Sequence, residues 1–235
     1  MPHNDNFLPN AIVLTGGIAS GKSTCAKLLK QWGFSVVCAD SIAHTVLENN
    51  ADILAREFGK EILLDCDVAE SSLDSCGFAT PPRINRKILG EIVFANETRR
   101  KLLESITHPQ IHSQIYAKAQ ELEKQITQNS QKDAKTYYFL DIPLFFESGG
   151  KARYNARFSL SIITSKAIQI KRILERDSLT LEQAQARINA QMPSALKMQK
   201  SDFVLFNNTT LEELESSLKD FIDMLALCEN KRPAR

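Results

Sequence analysis

The sequence predicts an α/β fold in which a parallel sheet of five strands is flanked by helices. Short apolar runs alternate along the chain with stretches whose apolar residues recur every three or four positions. This alternation is typical of buried parallel strands connected by amphipathic helices. A glycine-rich segment follows the first apolar run. The chain has 235 residues and is 43% hydrophobic, which is enough for one globular domain with a sizeable core.

Five apolar runs predict the strands, at residues 11–15, 34–39, 137–140, 158–162 and 203–206. Helices are predicted between and after these runs. Two of the helices open with capping boxes, formed by Thr180 with Gln183 and by Thr210 with Glu213. The last helix is expected to bury one apolar face, formed by Leu211, Leu214, Leu218, Phe221 and Leu225.

The stretch between the second and third strands departs from this alternation. Residues 41–130 carry only helical patterns, and they are far more than a single crossover helix requires. We interpret them as a helical insert beside the sheet that binds substrate. Within the insert, residues 65–82 are rich in Asp, Ser, Cys and Pro without periodicity, so an exposed loop is expected there.

Composition and charge exclude several classes of function. The net charge of +1 argues against a nucleic-acid-binding protein. No apolar run reaches the roughly 18 residues of a membrane-spanning helix, and the N-terminus lacks the pattern of a signal peptide. The five cysteines are odd in number and include no C-x-x-C pair, so reduced thiols are expected. We therefore expect a cytoplasmic protein, a monomer or weak homo-oligomer, that binds neither nucleic acid nor membrane.

The glycine-rich segment at residues 16–23, Gly-Gly-Ile-Ala-Ser-Gly-Lys-Ser, satisfies the P-loop pattern G-x-x-x-x-G-K-[ST] in full. In such a loop, backbone N–H groups and the following helix N-terminus bind the phosphates of a nucleotide. Lys22 would reach the β- and γ-phosphates, and the Ser23 hydroxyl would ligate Mg²⁺. A glycine-rich turn with a surface lysine is the alternative, but the predicted strand and helix on either side favour the P-loop. The expected phosphate-binding residues are Gly17, Ile18, Ala19, Ser20, Gly21, Lys22, Ser23 and Thr24.

Two aspartates follow predicted strands and supply carboxylates for phosphoryl transfer. Asp40 ends the second strand, which we expect to lie next to the first, so that its carboxylate faces the γ-phosphate as general base or acceptor-orienting group. Asp40 would also suit the N-cap of the next helix, and the two roles are compatible. Asp141 ends the third strand and would hold Mg²⁺ through water; the alternative is a turn residue before Pro143.

Arg172, Arg176 and Arg187 lie on two successive helices after the fourth strand. In kinases of this architecture such a helical pair is a lid that closes cations over the phosphates. We predict a lid at residues 166–200. Solvated arginines on helix faces are the alternative for each of the three.

Together these residues resemble the dephospho-coenzyme A kinase family over nearly the whole chain. Segment 14–23 is similar to the opening signature of the family, and segment 40–44, Asp-Ser-Ile-Ala-His, to the one that holds its catalytic aspartate. The insert has two further landmarks, Leu-Gly-Glu-Ile-Val-Phe at 89–94 and the pair His108-Pro109. The remaining similar segments are 141–147, 169–172, 176–177, 187–188, Gln191, 200–203 and Asn207.

The resemblance implies a kinase that uses ATP and Mg²⁺ to phosphorylate the 3′-hydroxyl of the ribose of dephospho-coenzyme A, the final step of coenzyme A biosynthesis. It implies that residues 41–130 bind coenzyme A and that Asn207 lies near the adenine. The catalytic residues it implies are Asp40, Lys22 and Arg187. The residues it implies for the substrate side or the lid are Thr15, His108, Arg172 and Arg176.

The sequence departs from the family at Ala19, in the irregular stretch 65–82 and beyond Asn230, and two other functions are the alternatives. Ala19 stands where the family usually has glycine, which an alanine tolerates unless φ is positive there. A P-loop kinase acting on a nucleoside monophosphate or another small alcohol would share the sheet and the loop. A GTPase-like switch would carry an N-K-x-D motif, and the sequence has none.

Overall fold

The computed structural model describes residues 7–64, 83–128 and 136–230, so the predicted loop at 65–82 lies outside the described residues. Its five strands form one parallel sheet, as predicted. The strands are β1 (Leu8–Gly16), β2 (Val36–Cys38), β3 (Tyr138–Asp141), β4 (Ala156–Ile163) and β5 (Phe203–Phe206). Nine α-helices lie within the described ranges: α1 (Lys22–Gln31), α2 (Ala39–Asn49), α3 (Ala51–Phe58), α4 (Arg86–Ala95), α5 (Glu97–Gln128), α6 (Lys166–Asp177), α7 (Leu181–Asn189), α8 (Ser194–Lys200) and α9 (Leu211–Asn230).

The strand order is β2-β3-β1-β4-β5, so the expectation that the second strand lies next to the first is wrong. β3 lies between them and pairs with both, through Leu14 on β1 and Cys38 on β2, each opposite Asp141. Consecutive strands are neighbours in most sheets, but not in all. Here the chain leaves the sheet after β2 and returns through β3 in the intervening position. Asp141, rather than the end of β2, therefore borders the strand that precedes the P-loop.

The structure divides into two compact units: residues up to Cys38 together with those from Lys118 onward, and Ala39–Ala117. In the first unit, helices α1 and α9 pack against one face of the sheet. Leu214, Leu218, Phe221 and Leu225 of α9 are buried there, as predicted, whereas Leu211 is 53% exposed. Leu211 is the first residue of α9, one turn before the buried part of the face begins.

The second unit has its own apolar core. It is built from residues of α3, the short 3₁₀ helix Lys60–Ile62, the segment before α4 and α4 itself, namely Ala51, Leu54, Phe58, Ile62, Ile84 and Leu89. Asn50 and Gln110 exchange side-chain amide hydrogen bonds of 2.9 and 3.0 Å, which tie the start of α3 to α5. A carboxylate oxygen of Glu48 accepts a hydrogen bond from the Ile84 N–H at 2.8 Å. These hydrogen bonds connect the elements that surround the apolar core of the unit.

The predicted capping residues lie at helix starts. Thr180 and Gln183 form the complete capping box of α7. At the start of α9, the Thr210 hydroxyl accepts a hydrogen bond from the Glu213 N–H at 3.3 Å. Within the described residues, none of the helices combines the length and the apolar character that crossing a membrane requires.

Candidate active site

The P-loop lies between the end of β1 and the first residue of α1, the context that its sequence requires. Gly21 adopts φ +97° immediately before α1, and its carbonyl oxygen accepts hydrogen bonds from the N–H groups of Thr24 and Cys25. The turn before it is closed by the Ser20 N–H, which donates to the Gly17 carbonyl at 3.1 Å. The helix N-terminus therefore follows the loop directly, and its positive end favours an anion.

Gly21 could not be replaced by a larger residue without strain. Its positive φ favours glycine, and a Cβ atom built on it would overlap the side-chain amide of Asn207. That amide donates to the Ser20 carbonyl oxygen at 2.8 Å. Gly21 thus allows Asn207, which follows β5, to approach the backbone of the loop.

Ala19 adopts φ +57°, in the left-handed region. An alanine is expected to be tolerated here only if its φ is negative, but φ of Ala19 is positive in the structure. The Cβ atom makes this conformation unfavourable by about 1–2 kcal/mol. The loop therefore retains the shape that glycine would favour, at some cost in stability.

Three successive carbonyl oxygens of the loop are each bound by a side chain from outside it. The Ile18 carbonyl accepts from Gln169 Nε2 at 2.8 Å, the Ala19 carbonyl from Arg172 at 3.2 Å, and the Ser20 carbonyl from Asn207. Arg172 also donates to the Asn207 side-chain oxygen at 3.3 Å. Carbonyl oxygens would repel a bound anion. Hydrogen bonds that direct these oxygens toward side-chain donors outside the loop therefore suit a loop that binds phosphate.

Lys22 and Asp141 form an ion pair, with side chains only 10% and 7% exposed. The first residue of α1 and the last residue of β3 supply it, and the pairing of Asp141 with Leu14 fixes their proximity. Within the P-loop, the Ser20 hydroxyl is buried and has no hydrogen-bond partner among the described residues. A lysine, a carboxylate and an unsatisfied hydroxyl therefore lie at the carboxyl ends of the central strands, where doubly wound proteins bind ligands.

The residues present fit a magnesium ion held chiefly by nucleotide phosphates. Ser23 is exposed at the start of α1, and Asp141 supplies a carboxylate. No group of three or more His, Cys, Asp or Glu side chains in the described ranges could hold a metal ion alone. Mg²⁺ commonly takes only one or two protein oxygen ligands beside substrate phosphates and water, which matches this donor set.

The turn between α6 and α7 brings two predicted arginines onto one carboxylate. Arg176 makes two hydrogen bonds to Asp177, of 2.6 and 2.9 Å, and Arg187 makes a third at 3.2 Å. We call Arg176, Asp177 and Arg187 the arginine cluster. Hydrogen bonding from Arg176 holds the pKa of Asp177 below its usual value. Arg172, by contrast, contacts the P-loop, so the structure divides the three arginines between two sets of contacts.

The remaining predicted residues are Thr15 in the first unit and Asp40 and His108 in the second. Thr15 is fully buried, and its hydroxyl donates to the Pro143 carbonyl at 3.0 Å, which anchors the segment after β3. Asp40 is exposed in the second unit, as the second residue of α2. Its predicted place at the N-cap is wrong because α2 begins at Ala39. His108 is exposed on α5 of the same unit, with its ring 5.8 Å from that of His112.

Several residues that support the site have no individual role in the sequence analysis, which includes them only within segments similar to the family or within the predicted lid. Gln169 and Gln191 both bond to Ile18 of the P-loop. Glu147 accepts from Lys197 Nζ at 2.7 Å, and Lys197 is fully buried. The spacing of Gln169 and Arg172 places both on one helix face, but which residue of the P-loop each would contact depends on packing.

Cys25 is not a reactive group of this site. Cys25 and Cys38 are free, and burial raises the pKa of the Cys25 thiol to about 12. Cys25 is therefore neutral at ordinary pH. Cys66 and Cys76, and the side chain of Cys228, lie outside what the structure describes.

Comparison with known proteins identifies the family. Residues 10–213 match the family model for dephospho-CoA kinase. The chain is 42% identical to a dephospho-CoA kinase of Helicobacter hepaticus, over 94% of this chain and 95% of that protein, and 40% identical to one of Helicobacter pylori, over 93% and 99%. A solved dephospho-CoA kinase from Campylobacter jejuni is 33% identical, with a TM-score of 0.66 over 94% of this chain and 99% of that one. The chain belongs to the dephospho-CoA kinase family.

Proposed function

We propose that the protein transfers the γ-phosphoryl group of ATP to the 3′-hydroxyl of the ribose of dephospho-CoA, giving CoA and ADP. Family membership over nearly the whole chain supports the acceptor. The observation that carries the chemistry is the complete P-loop with the buried Lys22–Asp141 pair beside it. The reaction is the final step of CoA biosynthesis.

In this reaction the acceptor oxygen forms a bond to the γ-phosphorus as the bond from that phosphorus to the β-bridging oxygen breaks. The hydroxyl proton passes to a carboxylate, for which we propose Asp40. ADP leaves with the bonding electron pair. Because little covalent chemistry is left to the protein, positioning and charge stabilisation account for most of the rate.

On the phosphate side, the backbone of residues 17–24 and the positive end of α1 would bind the nucleotide. Lys22 would exchange part of its contact with Asp141 for the β- and γ-phosphate oxygens. Ser23 directly, and Asp141 through water, would hold Mg²⁺, which supplies charge neutralisation at the β- and γ-phosphates. The buried pair keeps both groups close to the loop before the nucleotide binds.

We propose that residues 166–200 act as the lid and that Arg187, with Arg176, stabilises the charge on the transferring group. Their shared partner Asp177 holds both guanidinium groups at the turn between α6 and α7. Arg172 would act from the P-loop side, through Ala19 and Asn207. Asn207 would then border the adenine as well as support the loop.

On the acceptor side, we propose that residues 41–130 bind the CoA moiety and that His108 contributes to that site. Thr15 would act indirectly, by holding the segment after β3 through Pro143. An ATP-dependent step of this kind suits a cytoplasmic enzyme. We propose a monomer or weak homo-oligomer, which sedimentation velocity over a range of protein concentrations would test.

The test of the function is a coupled assay of ADP release with Mg-ATP, comparing dephospho-CoA, adenosine, AMP and shikimate as acceptors. We expect turnover with dephospho-CoA alone and a product that carries a 3′-phosphate. Turnover with a different acceptor would refute the proposed substrate and leave a P-loop kinase. Absence of ADP release with all four acceptors, from folded protein that binds ATP, would contradict the kinase assignment for these substrates.

The role of Asp40 is tested by Asp40→Asn, which keeps the shape of the side chain and removes the base. We expect kcat to fall about 10²-fold or more, with ATP affinity nearly unchanged. Asp52→Asn is the matched control, because Asp52 is also an exposed acid in the first turn of a helix of the second unit. Equal kcat values for the two variants would remove Asp40 from the chemistry.

A further inference from the structure

The backbone of Ile18, in the P-loop, is held at both of its polar groups by glutamines from a different part of the chain. The Ile18 N–H donates to Gln191 Oε1 at 2.7 Å, and its carbonyl accepts from Gln169 Nε2 at 2.8 Å. Gln169 lies in the first turns of α6, and Gln191 lies two residues after the end of α7. The two ends of the α6–α7 pair thus meet at one residue of the P-loop.

The chemistry of the backbone fixes which atom of each glutamine is used. A backbone N–H needs an acceptor, so Gln191 presents its oxygen, and a carbonyl needs a donor, so Gln169 presents its nitrogen. Both side chains are neutral and add no charge beside the phosphates. A Cβ atom on Gly17 would lie 2.7 Å from Gln169 Nε2, so the glycine before Ile18 leaves the space that this amide occupies.

Both glutamines are supported by further contacts. Gln169 is only 4% exposed, which restricts its side chain. The Gln191 N–H donates to the Ile188 carbonyl at 3.2 Å, and the neighbouring Met192 N–H donates to Glu147 Oε1 at 2.9 Å. Because Glu147 is itself paired with the buried Lys197, the position of Gln191 is linked to the segment that follows Asp141.

We propose that Gln169 and Gln191 are positioning residues that hold the two peptide groups flanking Ile18 and so fix the P-loop in its nucleotide-binding shape. The inference rests on the proposed function only in taking ATP as the nucleotide. Through these two residues, the position of the predicted lid and the shape of the P-loop depend on each other. A loop held in its binding shape needs less ordering when the ligand arrives, which favours affinity.

The test compares two substitutions that add the same charge but differ in hydrogen bonding. Gln191→Glu keeps an acceptor for the Ile18 N–H, whereas Gln169→Glu, when ionised, has no donor for the Ile18 carbonyl. We expect Gln169→Glu to weaken binding of Mg-AMP-PNP at least about fivefold more than Gln191→Glu does, measured by isothermal titration calorimetry. Gln169→Leu and Gln191→Leu should each weaken binding roughly 3- to 10-fold, the scale of one lost neutral hydrogen bond.

A pH series separates positioning from general loss of structure. Below neutral pH a protonated carboxyl at position 169 can donate again, so the affinity of Gln169→Glu relative to the unsubstituted protein should recover as pH falls. The same ratio for Gln169→Leu should stay flat. Gln31→Leu is the control, because Gln31 is exposed at the C-terminal end of α1, outside the predicted lid, and it should bind AMP-PNP normally. Thermal unfolding of each variant verifies that the protein is folded.

Two results would overturn the proposal: equal weakening by the two glutamate substitutions at every pH, or leucine variants that bind AMP-PNP as Gln31→Leu does. AMP-PNP binding requires no acceptor, so these outcomes are independent of the choice of dephospho-CoA as substrate. Failure of the acceptor assay with normal AMP-PNP results would leave the positioning role intact.

Discussion

The P-loop and the arginine cluster both contain groups that we propose to contact the phosphates, but different contacts hold them. Lys22 and Asp141 are almost fully buried, and side chains from α6 and from the residue after β5 bind the loop carbonyls. The guanidinium groups of Arg176 and Arg187 are 60% and 53% exposed and meet at Asp177. The loop is thus fixed by burial and the cluster by ion pairs at the surface.

This difference bears on how the two regions can respond to a nucleotide. Exposed ion pairs contribute about 0–1 kcal/mol each because water and salt screen them, so phosphates can compete with Asp177 for the arginines. Breaking a buried pair by removing one partner costs about 3–5 kcal/mol. We infer that the arginine cluster can rearrange on binding, whereas the P-loop keeps its shape.

The largest effect is expected at Lys22. Lys22→Met should lower kcat by about 10²- to 10³-fold, because it removes a cation from the transferring phosphoryl group. It also leaves the buried Asp141 without its ion-pair partner, so the free energy of unfolding should fall as well. Steady-state kinetics and urea unfolding measure the two losses. Lys27→Met, on the exposed face of α1, is the control and should change neither.

The double variant Lys22→Met/Asp141→Asn tests what the unpaired carboxylate costs in stability. Neutralising Asp141 should restore part of the unfolding free energy, while kcat stays low because the lysine and a proposed Mg²⁺ ligand are both absent. If restoring stability also restored kcat, Lys22 would have a structural role only. The buried pair and the arginine cluster would then differ in stability and not in catalysis.

The Glu147–Lys197 pair tests how burial affects the stability contribution of an ion pair, without an effect on catalysis being predicted. Lys197 is fully buried whereas Glu147 is 24% exposed, so the two truncations should differ. Glu147→Ala leaves a buried ammonium group without its partner and should lower the unfolding free energy by about 3 kcal/mol. Lys197→Met leaves a carboxylate that can reach water and should cost about 1 kcal/mol. Urea unfolding of both variants measures the asymmetry.

The exposed pair of Lys151 with Asp202, 46% and 30% exposed, provides the control for this experiment. Lys151→Met should change the unfolding free energy by less than about 1 kcal/mol. Equal losses for Glu147→Ala and Lys151→Met would show that burial does not distinguish these pairs.

Asp177 tests the exposed side of the comparison. Asp177→Asn keeps an acceptor for Arg176 but removes the charge that draws both arginines together, and we expect kcat/KM for ATP to fall roughly 3- to 10-fold. Raising the salt concentration should reduce the difference between the two proteins, because salt screens exposed charges. An effect of the substitution that did not depend on salt would argue against ion pairing as its cause.

The lowered pKa of Asp177 also predicts the pH range over which the ion pairs of the arginine cluster persist. A carboxyl whose folded pKa is depressed keeps its interaction above its ordinary pKa of about 4 and loses it as pH falls through the folded value. The arginine cluster should therefore remain ionised between pH 5 and 8, a range set by the ordinary value of about 4. KM for ATP could instead change between pH 5 and 8, with a change that salt weakens and that is absent in Asp177→Asn. That result would contradict the expectation that the arginine cluster stays ionised in this range.

The sequence predicts the fold and the position of the P-loop between β1 and α1 better than the contacts around them. The P-loop contacts its ligand largely through backbone and adjacent residues, so the motif specifies both its chemistry and its position between β1 and α1. The place of Asp141 beside Lys22 depends on strand order, which local patterns do not determine; for the same reason the neighbour of β2 was predicted wrongly.

The supporting contacts were not predictable for a related reason. Gln169 and Gln191 lie about 150 and 170 residues after Ile18, and glutamines on helical segments are ordinarily solvated. Only packing shows that their amides bind the backbone of the same residue, Ile18. The strain at Ala19 was equally hidden, because its sign depends on a backbone angle and not on the identity of the residue alone.

The smallest effect is expected where the P-loop carries strain. Ala19→Gly should raise the unfolding free energy by about 1 kcal/mol, because glycine adopts φ +57° without the Cβ clash. For a protein of this size that corresponds to a rise in Tm of about 2–4 °C. Ala190→Gly is the control: Ala190 ends α7 at φ −72°, where glycine relieves nothing and should lower stability by a few tenths to about 1 kcal/mol. Opposite signs for the two variants, measured by thermal and urea unfolding, would locate the strain at Ala19. If both variants lost stability, the loop would hold Ala19 without strain, and its fixed shape would then come from its surrounding contacts alone.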